Sequence, residues 1–281
     1  MHRLQRALLA FATSIGALAL AVSGLALTTA SPASAQVTQP LDHFLCSTTT
    51  PTGPPFMPVP GTMLIDQFAP NGFVPAVAPT PVLHCNPTVK LINGQVVSVP
   101  QNPQAHLLCL PLKAPKQLSF TVAVENQFGQ GTLTAKTPKD LCLPSWKTLT
   151  GPPNMPVPQP PGLFHFTCYP VKYAPGSTAR FAAPGQVSVQ DEFATAPVNI
   201  KVGSPKLLCL PTTKILPTGL VYPADLSGLH LLCFSVSRTP VISPVFDQNQ
   251  FGQAPVNIVK TKYLCLPSTK QVLTPAKHHK R

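Results

Sequence analysis

His106-Leu107-Leu108-Cys109 reads HLLC, and the same four letters return at His230–Cys233, with near-copies HFLC at His43 and HFTC at His165. The reading of these starts decides the fold, because a His-x-x-Cys pair is either a metal-ligand pair or a stretch of strand carrying a covalent staple. On a β-strand successive side chains point to opposite faces, so residues i and i+3 face apart. His106 would reach a metal held by Cys109 only across a bulge. Each start with its downstream cysteine also supplies three ligands where a structural zinc site takes four, and only His84, in the first copy, is near enough to fill the gap. The starts therefore read as strands, and the cysteines as disulfide partners.

Each start heads a longer repeated plan. The middles carry an acidic residue ahead of phenylalanine: IDQF at Asp66, ENQF at Glu125, DEF at Asp191 and DQNQF at Asp247. The ends read CNPTVK at Cys85, CLPSWK at Cys142, CLPTTK at Cys209 and CLPSTK at Cys265, so that Lys90, Lys147, Lys214 and Lys270 close the four copies. Copies one and three begin HF, whereas two and four begin HLLC and contain NQFGQ; the matching starts lie 122 and 124 residues apart. That kinship predicts two similar domains, 41–147 (repeats 41–90 and 104–147) and 163–270 (repeats 163–214 and 228–270). Between them, residues 148–162 hold six prolines in 15 residues, a stiff extended spacer.

The expected class is all-β. Proline contributes 37 of 281 residues, too many for long helices, since an interior proline removes a donor and clashes with the preceding turn. The apolar stretches alternate with period two: LSFTVAV from Leu118, VSV from Val187 and VNIKV from Val198. Two repeats per domain give about seven short strands, which favours an antiparallel sandwich or barrel-like domain. Gly129 and Gly252, in the two FGQ elements, are expected at turns needing positive φ.

Residues 1–35 have the layout of a signal peptide: MHRLQR, an uncharged apolar run, and a small-residue A-x-A site ending at Ala35. The apolar run is also long enough to serve as an uncleaved anchor, but the A-x-A site stands where the peptidase needs it. No second stretch of spanning length follows, and the mature chain is expected to be secreted or attached to the cell surface. In that compartment eight cysteines form a disulfide framework. If the repeat is the folding unit, the bonds are Cys46–Cys85, Cys109–Cys142, Cys168–Cys209 and Cys233–Cys265. The rival joins repeats: Cys85–Cys109 with Cys46–Cys142, and Cys209–Cys233 with Cys168–Cys265.

No catalytic, metal or cofactor residues are assigned. No G-x-S-x-G, H-E-x-x-H or phosphate-cradling glycine loop occurs, and a position filled with an acid in every copy reads as a turn requirement. An extracellular enzyme assembled from distant residues, or a metal-binding protein using the His-x-x-Cys pairs, remains as the alternative class. The histidines are expected near the domain surface or satisfied by a backbone partner. Removal of Arg3 and Arg6 with the leader leaves 18 Lys and Arg against eight acids, a net charge of +10, with a basic tail at 271–281. The expected partner is an anionic cell-envelope polymer or another surface protein. Nucleic acid is not expected, because aromatic residues are few and the lysines are spread.

The combination of H-F-x-C, D-Q-F, N-Q-F-G and L-C-x-P-x-x-K resembles a bacterial family of secreted, tandemly repeated domains whose own function is unknown. The resemblance covers residues 41–270. Its C-Y step occurs here only at Cys168-Tyr169, and copy one has Cys46-Ser47 followed by the proline-rich TPTGPPFMPVP. It implies secretion and repetition and supplies no activity.

Overall fold

A computed structural model describes residues 41–115, 119–152, 154, 160 and 162–275, so the expected signal peptide at 1–35 and the last six residues lie outside the described residues. Repeat one supplies β1 (Phe44–Pro51), β2 (Met63–Asp66), β3 (Ala69–Phe73), β4 (Ala76–Val77), β5 (Leu83–Pro87) and β6 (Val89–Ile92), with β7 (Gln95–Ser98) following. Repeat two supplies β8 (His106–Lys113), β9 (Phe120–Asn126), β10 (Gly129–Ala135) and β11 (Asp140–Thr148). Repeat three supplies β12 (His165–Tyr173), β13 (Val187–Gln190), β14 (Val198–Ile200) and β15 (Val202–Ile215), with β16 (Val221–Tyr222) after it. Repeat four supplies β17 (His230–Val236), β18 (Pro240–Asn249) and the long β19 (Gly252–Pro275). The chain is all-β and every pairing is antiparallel.

The two strands carrying cysteine in each repeat form one closed ring. β1 pairs with β5, β5 with β8, β8 with β11, β11 with β12, β12 with β15, β15 with β17, β17 with β19, and β19 returns to β1. Within a repeat the cysteines stand directly opposite one another, as in Cys46↔Cys85 and Cys168↔Cys209. Each junction between repeats slips by two residues: Cys85 faces Leu107, Cys142 faces Phe166, Cys209 faces Leu231, and Cys265 faces Phe44. This stagger tilts the strands and lets eight of them close. It also decides the disulfide partners. Cys46–Cys85, Cys109–Cys142, Cys168–Cys209 and Cys233–Cys265 are bonded, and the rival pairing fails because Cys85 and Cys109 do not face one another.

All four disulfides point into the barrel. They touch across junctions, with Cys46 Sγ 3.6 Å from Cys265 Sγ and Cys142 Sγ 3.5 Å from Cys168 Sγ. With Phe44, Leu83, Leu107, Phe166, Leu207, Leu231 and Tyr263 they leave a void of only about 10 Å³, no more than one water requires. The outer face of the barrel is apolar too. Leu45, Tyr169, Leu208, Phe234 and Leu264 pack under one set of hairpins with Phe68, Val122 and Phe128; Leu108, Leu141 and Leu143 pack under another with Leu64, Val245 and Phe251. The ring is thus a wall buried on both sides, which is why its strands read as continuous apolar runs such as LLCL.

The expectation of two domains at 41–147 and 163–270 is corrected. The described residues from Leu41 onward form one compact unit. β11 and β12, at the two ends of the proline-rich 148–162, pair directly, so that segment connects neighbouring strands; most of its interior lies outside the described residues. The middle hairpins interlock the halves further. The hairpin of repeat one pairs with β15 of repeat three, that of repeat two with β19 of repeat four, that of repeat three with β6 of repeat one, and that of repeat four with β11 of repeat two. The basic tail starts later than expected, because 271–275 continue β19 against β9. Of the predicted strands, VSV lies in β13 and VNIKV spans β14 into β15, whereas Leu118 lies outside the described residues. Gly129 and Gly252 have φ of 104° and 116° at their turns.

Candidate functional site: four capped histidine and lysine pairs

At one end of the barrel each repeat presents its histidine and its closing lysine on the outer face, opposite to its cysteines. Over each pair the hairpin of the next repeat lays a Gln or Glu followed by Phe. Gln127 Nε2 donates to His43 Nε2 at 2.7 Å, and Lys90 donates to Gln127 Oε1 and lies over the Phe128 ring. Lys147 pairs with Glu192 and lies over Phe193, while His106 Nδ1 sits 3.8 Å from Glu192. Gln250 Nε2 donates to His165 Nε2 at 2.7 Å, and Lys214 lies over Phe251 and Tyr222. The ring closes with repeat one capping repeat four: Gln67 Oε1 accepts from His230 Nε2 at 3.2 Å and from Lys270, which lies over Phe68.

A short polar turn delivers each cap. Asp66, Asn126, Asp191 and Asn249 accept through Oδ1 from the N–H of the phenylalanine two residues on, at 2.8, 2.8, 3.1 and 2.8 Å. The side chain replaces the backbone acceptor that the turn lacks, which only a short Asp or Asn does well. The equivalence of Asp66, Glu125, Asp191 and Asp247 expected from the acids alone is corrected accordingly. Glu125 precedes the turn residue and is exposed, and Asp247 instead pairs with His84, Nε2 to Oδ1, at 3.1 Å with both side chains fully buried. The histidines differ from the surface expectation as well: they are buried, with side-chain partners for His43, His84 and His165 and both backbone and side-chain partners for His230.

Burial sets the protonation of this belt. It depresses Lys90 and Lys270 to about 8 and Lys147 and Lys214 to about 7, Lys147 against the opposing pull of Asp247 and Asp191. His43 falls to about 3 and His230 to about 4 through burial reinforced by Lys90 and Lys270. His106 and His165 are held well below the usual range for the same reason. His43 is accordingly neutral: it accepts at Nε2 and has Ser98 Oγ 2.6 Å from Nδ1 to take its proton.

A pH dependence follows. Each lysine binds its proton more weakly in the folded chain than at its ordinary 10.5. Between about pH 7 and that value the unfolded chain holds more protons, and raising the pH favours the folded state. The Tm is expected to climb by several degrees from about pH 7 to about pH 9.5, and Lys214→Met should flatten the climb. Above that window the buried Tyr169 phenol, pushed up by burial and by Asp66, acts in the opposite sense. A Tm that falls steadily over the interval would show the lysines to be solvated.

The belt departs from fourfold likeness at repeat two. There the cap is Glu192 where the others have Gln, Asn86 bridges Lys147 (3.2 Å) and Asp191 (2.9 Å), and the His84 ring lies 5.6 Å from that of His106, tilted by 33°. An ion pair takes the place of an amide bridge, and the extra His84 and Asp247 complete a buried polar cluster. Among the described residues no group of three or more His, Cys, Asp or Glu is placed to hold a metal ion. Sequence reasoning found the histidines and lysines but missed Gln67, Gln127, Glu192 and Gln250, although the residue before Phe is Gln or Glu in all four copies. No family model, curated protein or solved structure matches this chain.

Proposed function

We propose that the chain is a secreted, disulfide-braced binding or structural module of the cell exterior, akin to the secreted tandem-repeat family it resembles, and that it works by surface association without catalysis. The observation that carries this reading is the barrel interior, which is filled by four disulfides and holds no ligand-sized space. Such a core suits an oxidising compartment. The described histidines lie buried, His43, His106, His165 and His230 under the caps. What remains outside is basic: Lys113, Lys136, Lys139, Lys172, Arg180, Lys201, Lys206 and Arg238 are exposed, whereas the exposed acids are Glu125 and Glu192. An anionic envelope polymer suits that surface, through attraction that salt screens.

Purified protein is expected to be retained on isolated cell envelope at about 0.05 M salt and released by about 0.5 M. Retention indifferent to salt, or none, would overturn the polymer reading. Protein recovered from the medium should start near Gln36 and gain the mass of eight hydrogens on reduction; a chain still carrying its leader in the membrane would refute release, and free thiols would refute export.

A further inference from the structure

The charges of this chain are sorted along the barrel axis. Seven of the eight acids lie at the histidine end: Asp66, Asp191 and Glu192 in the caps, Glu125 opposite Thr269, Asp247 opposite Lys147, Asp42 beside His43, and Asp225 near His230. Asp140 alone lies at the other end, at the start of β11, opposite Pro111 and Cys168. It occupies the place two residues before the second cysteine, where the other repeats carry Leu83, Leu207 and Tyr263, and so points inward beneath the mouth of the barrel.

Around that mouth stand cations. Lys139 Nζ lies 4.0 Å from Asp140 with half its side chain exposed, and Lys262 reaches over the Tyr263 ring. Lys260 pairs in register with Thr48 on one side and Pro240 on the other, and the Thr239–Thr261 hydrogen bonds (2.8 and 3.0 Å) bring Arg238 alongside. The cations are close enough to repel: Lys262 is depressed by burial and then by Lys139, Arg238 and Lys260. Asp140 cannot neutralise them all. It is wholly buried, neither carboxylate oxygen has a hydrogen-bond partner, and burial raises its pKa.

We propose that this mouth, formed by Lys139, Arg238, Lys260 and Lys262, is the docking surface for an anionic polysaccharide; the inference rests on the binding-module reading above and locates its site. Three lysines, each a compact charge on a flexible stem, match a flexible chain of repeating anionic groups better than one planar, oriented ligand, and the forked guanidinium of Arg238 adds a bidentate hold on a carboxylate, sulfate or phosphate. Thr48 and Thr239, half-buried between these cations, carry hydroxyls that suit sugar hydroxyls, while the buried Thr261 hydroxyl holds the segment together by accepting from Thr239 N–H and donating to the Ser237 carbonyl. A membrane fits less well. Six of the exposed apolar side chains, Val96, Val97, Leu220, Leu229, Val272 and Leu273, belong to segments at the histidine end, and Val198 is the exposed one that shares a hollow with Thr239 and Thr261.

The test compares the full mature chain, Lys260→Gln/Lys262→Gln, and Lys172→Gln/Arg180→Gln, which removes the same charge from the barrel's flank beside the β10–β12 pairing. Binding is measured to polygalacturonate, to neutral dextran, and to vesicles containing phosphatidylglycerol, with Tm checked for each variant. The expected result is salt-dependent binding to polygalacturonate alone, weakened roughly tenfold by the mouth variant and less than about threefold by the flank variant. Equal weakening by both would overturn the mouth as the site while leaving a generally basic binding module intact. Binding to vesicles through the mouth without binding to polygalacturonate would assign it to a membrane. No binding to either by the parent chain would bring down both this inference and the reading it rests on.

Discussion

Joint replacement of Cys168 and Cys209 by alanine is expected to lower unfolding stability by about 4 kcal/mol, the loop-closure value for their separation of 41 residues. Each bond closes a loop inside its own repeat, and the four loops neither nest nor cross. The other three bonds therefore do not already restrict the stretch that this one restricts. Packing adds to the loss, since Cys168 and Cys209 belong to the same inner core as Phe166 and Leu207 and a smaller pair of side chains leaves a void there. Urea unfolding of the double variant beside the parent chain measures it. A loss below about 1 kcal/mol would mean that the closed hydrogen-bonded ring alone constrains repeat three.

Phe68→Ala should cost about as much, about 3 to 5 kcal/mol, and should be felt at a distance along the chain. Phe68 is 6% exposed, stacks on Phe120 with centroids 4.4 Å apart, meets Tyr169 edge-on at 4.9 Å, and roofs Lys270. Its removal opens the seat of repeat four, some 200 residues on. Two readouts are expected together: a fall in the urea midpoint, and a return of the Lys270 pKa from about 8 toward its ordinary 10.5, followed by NMR of the labelled lysine. A destabilised variant in which Lys270 keeps its depressed pKa would show that β19 buries the lysine without help from the cap.

The outcome at Phe68 bears on how much could be read before the structure. The strand character of H-x-x-C and L-C-x-P was legible because period two and cysteine parity are local properties. The same parity argument sent His106 and Cys109 to opposite faces. Which repeat each hairpin would cap was not legible: Gln67 meets His230 across 163 residues, and nothing local in either segment records the partner. The two-domain expectation failed for a related reason. Kinship between repeats one and three reports ancestry, while adjacency is set by the two-residue stagger, which brings Cys265 opposite Phe44 and so joins the ends of the series. The acids misled because the turn selects for a short side chain carrying an oxygen, which Asn126 and Asn249 supply without charge.

The return of β19 to β1 also fixes what evolution can do with this chain. Solenoids grow and shrink by single units because they have free ends where a copy can be gained or lost. A ring has none: a fifth copy would widen the barrel past its disulfide filling, and a third alone could not accept every cap. Copy number is therefore locked, and drift can act on each copy's surface but hardly on their count. The two-and-two kinship of HF and HLLC starts fits such a lock, since doubling a pair yields four copies without an intermediate of three.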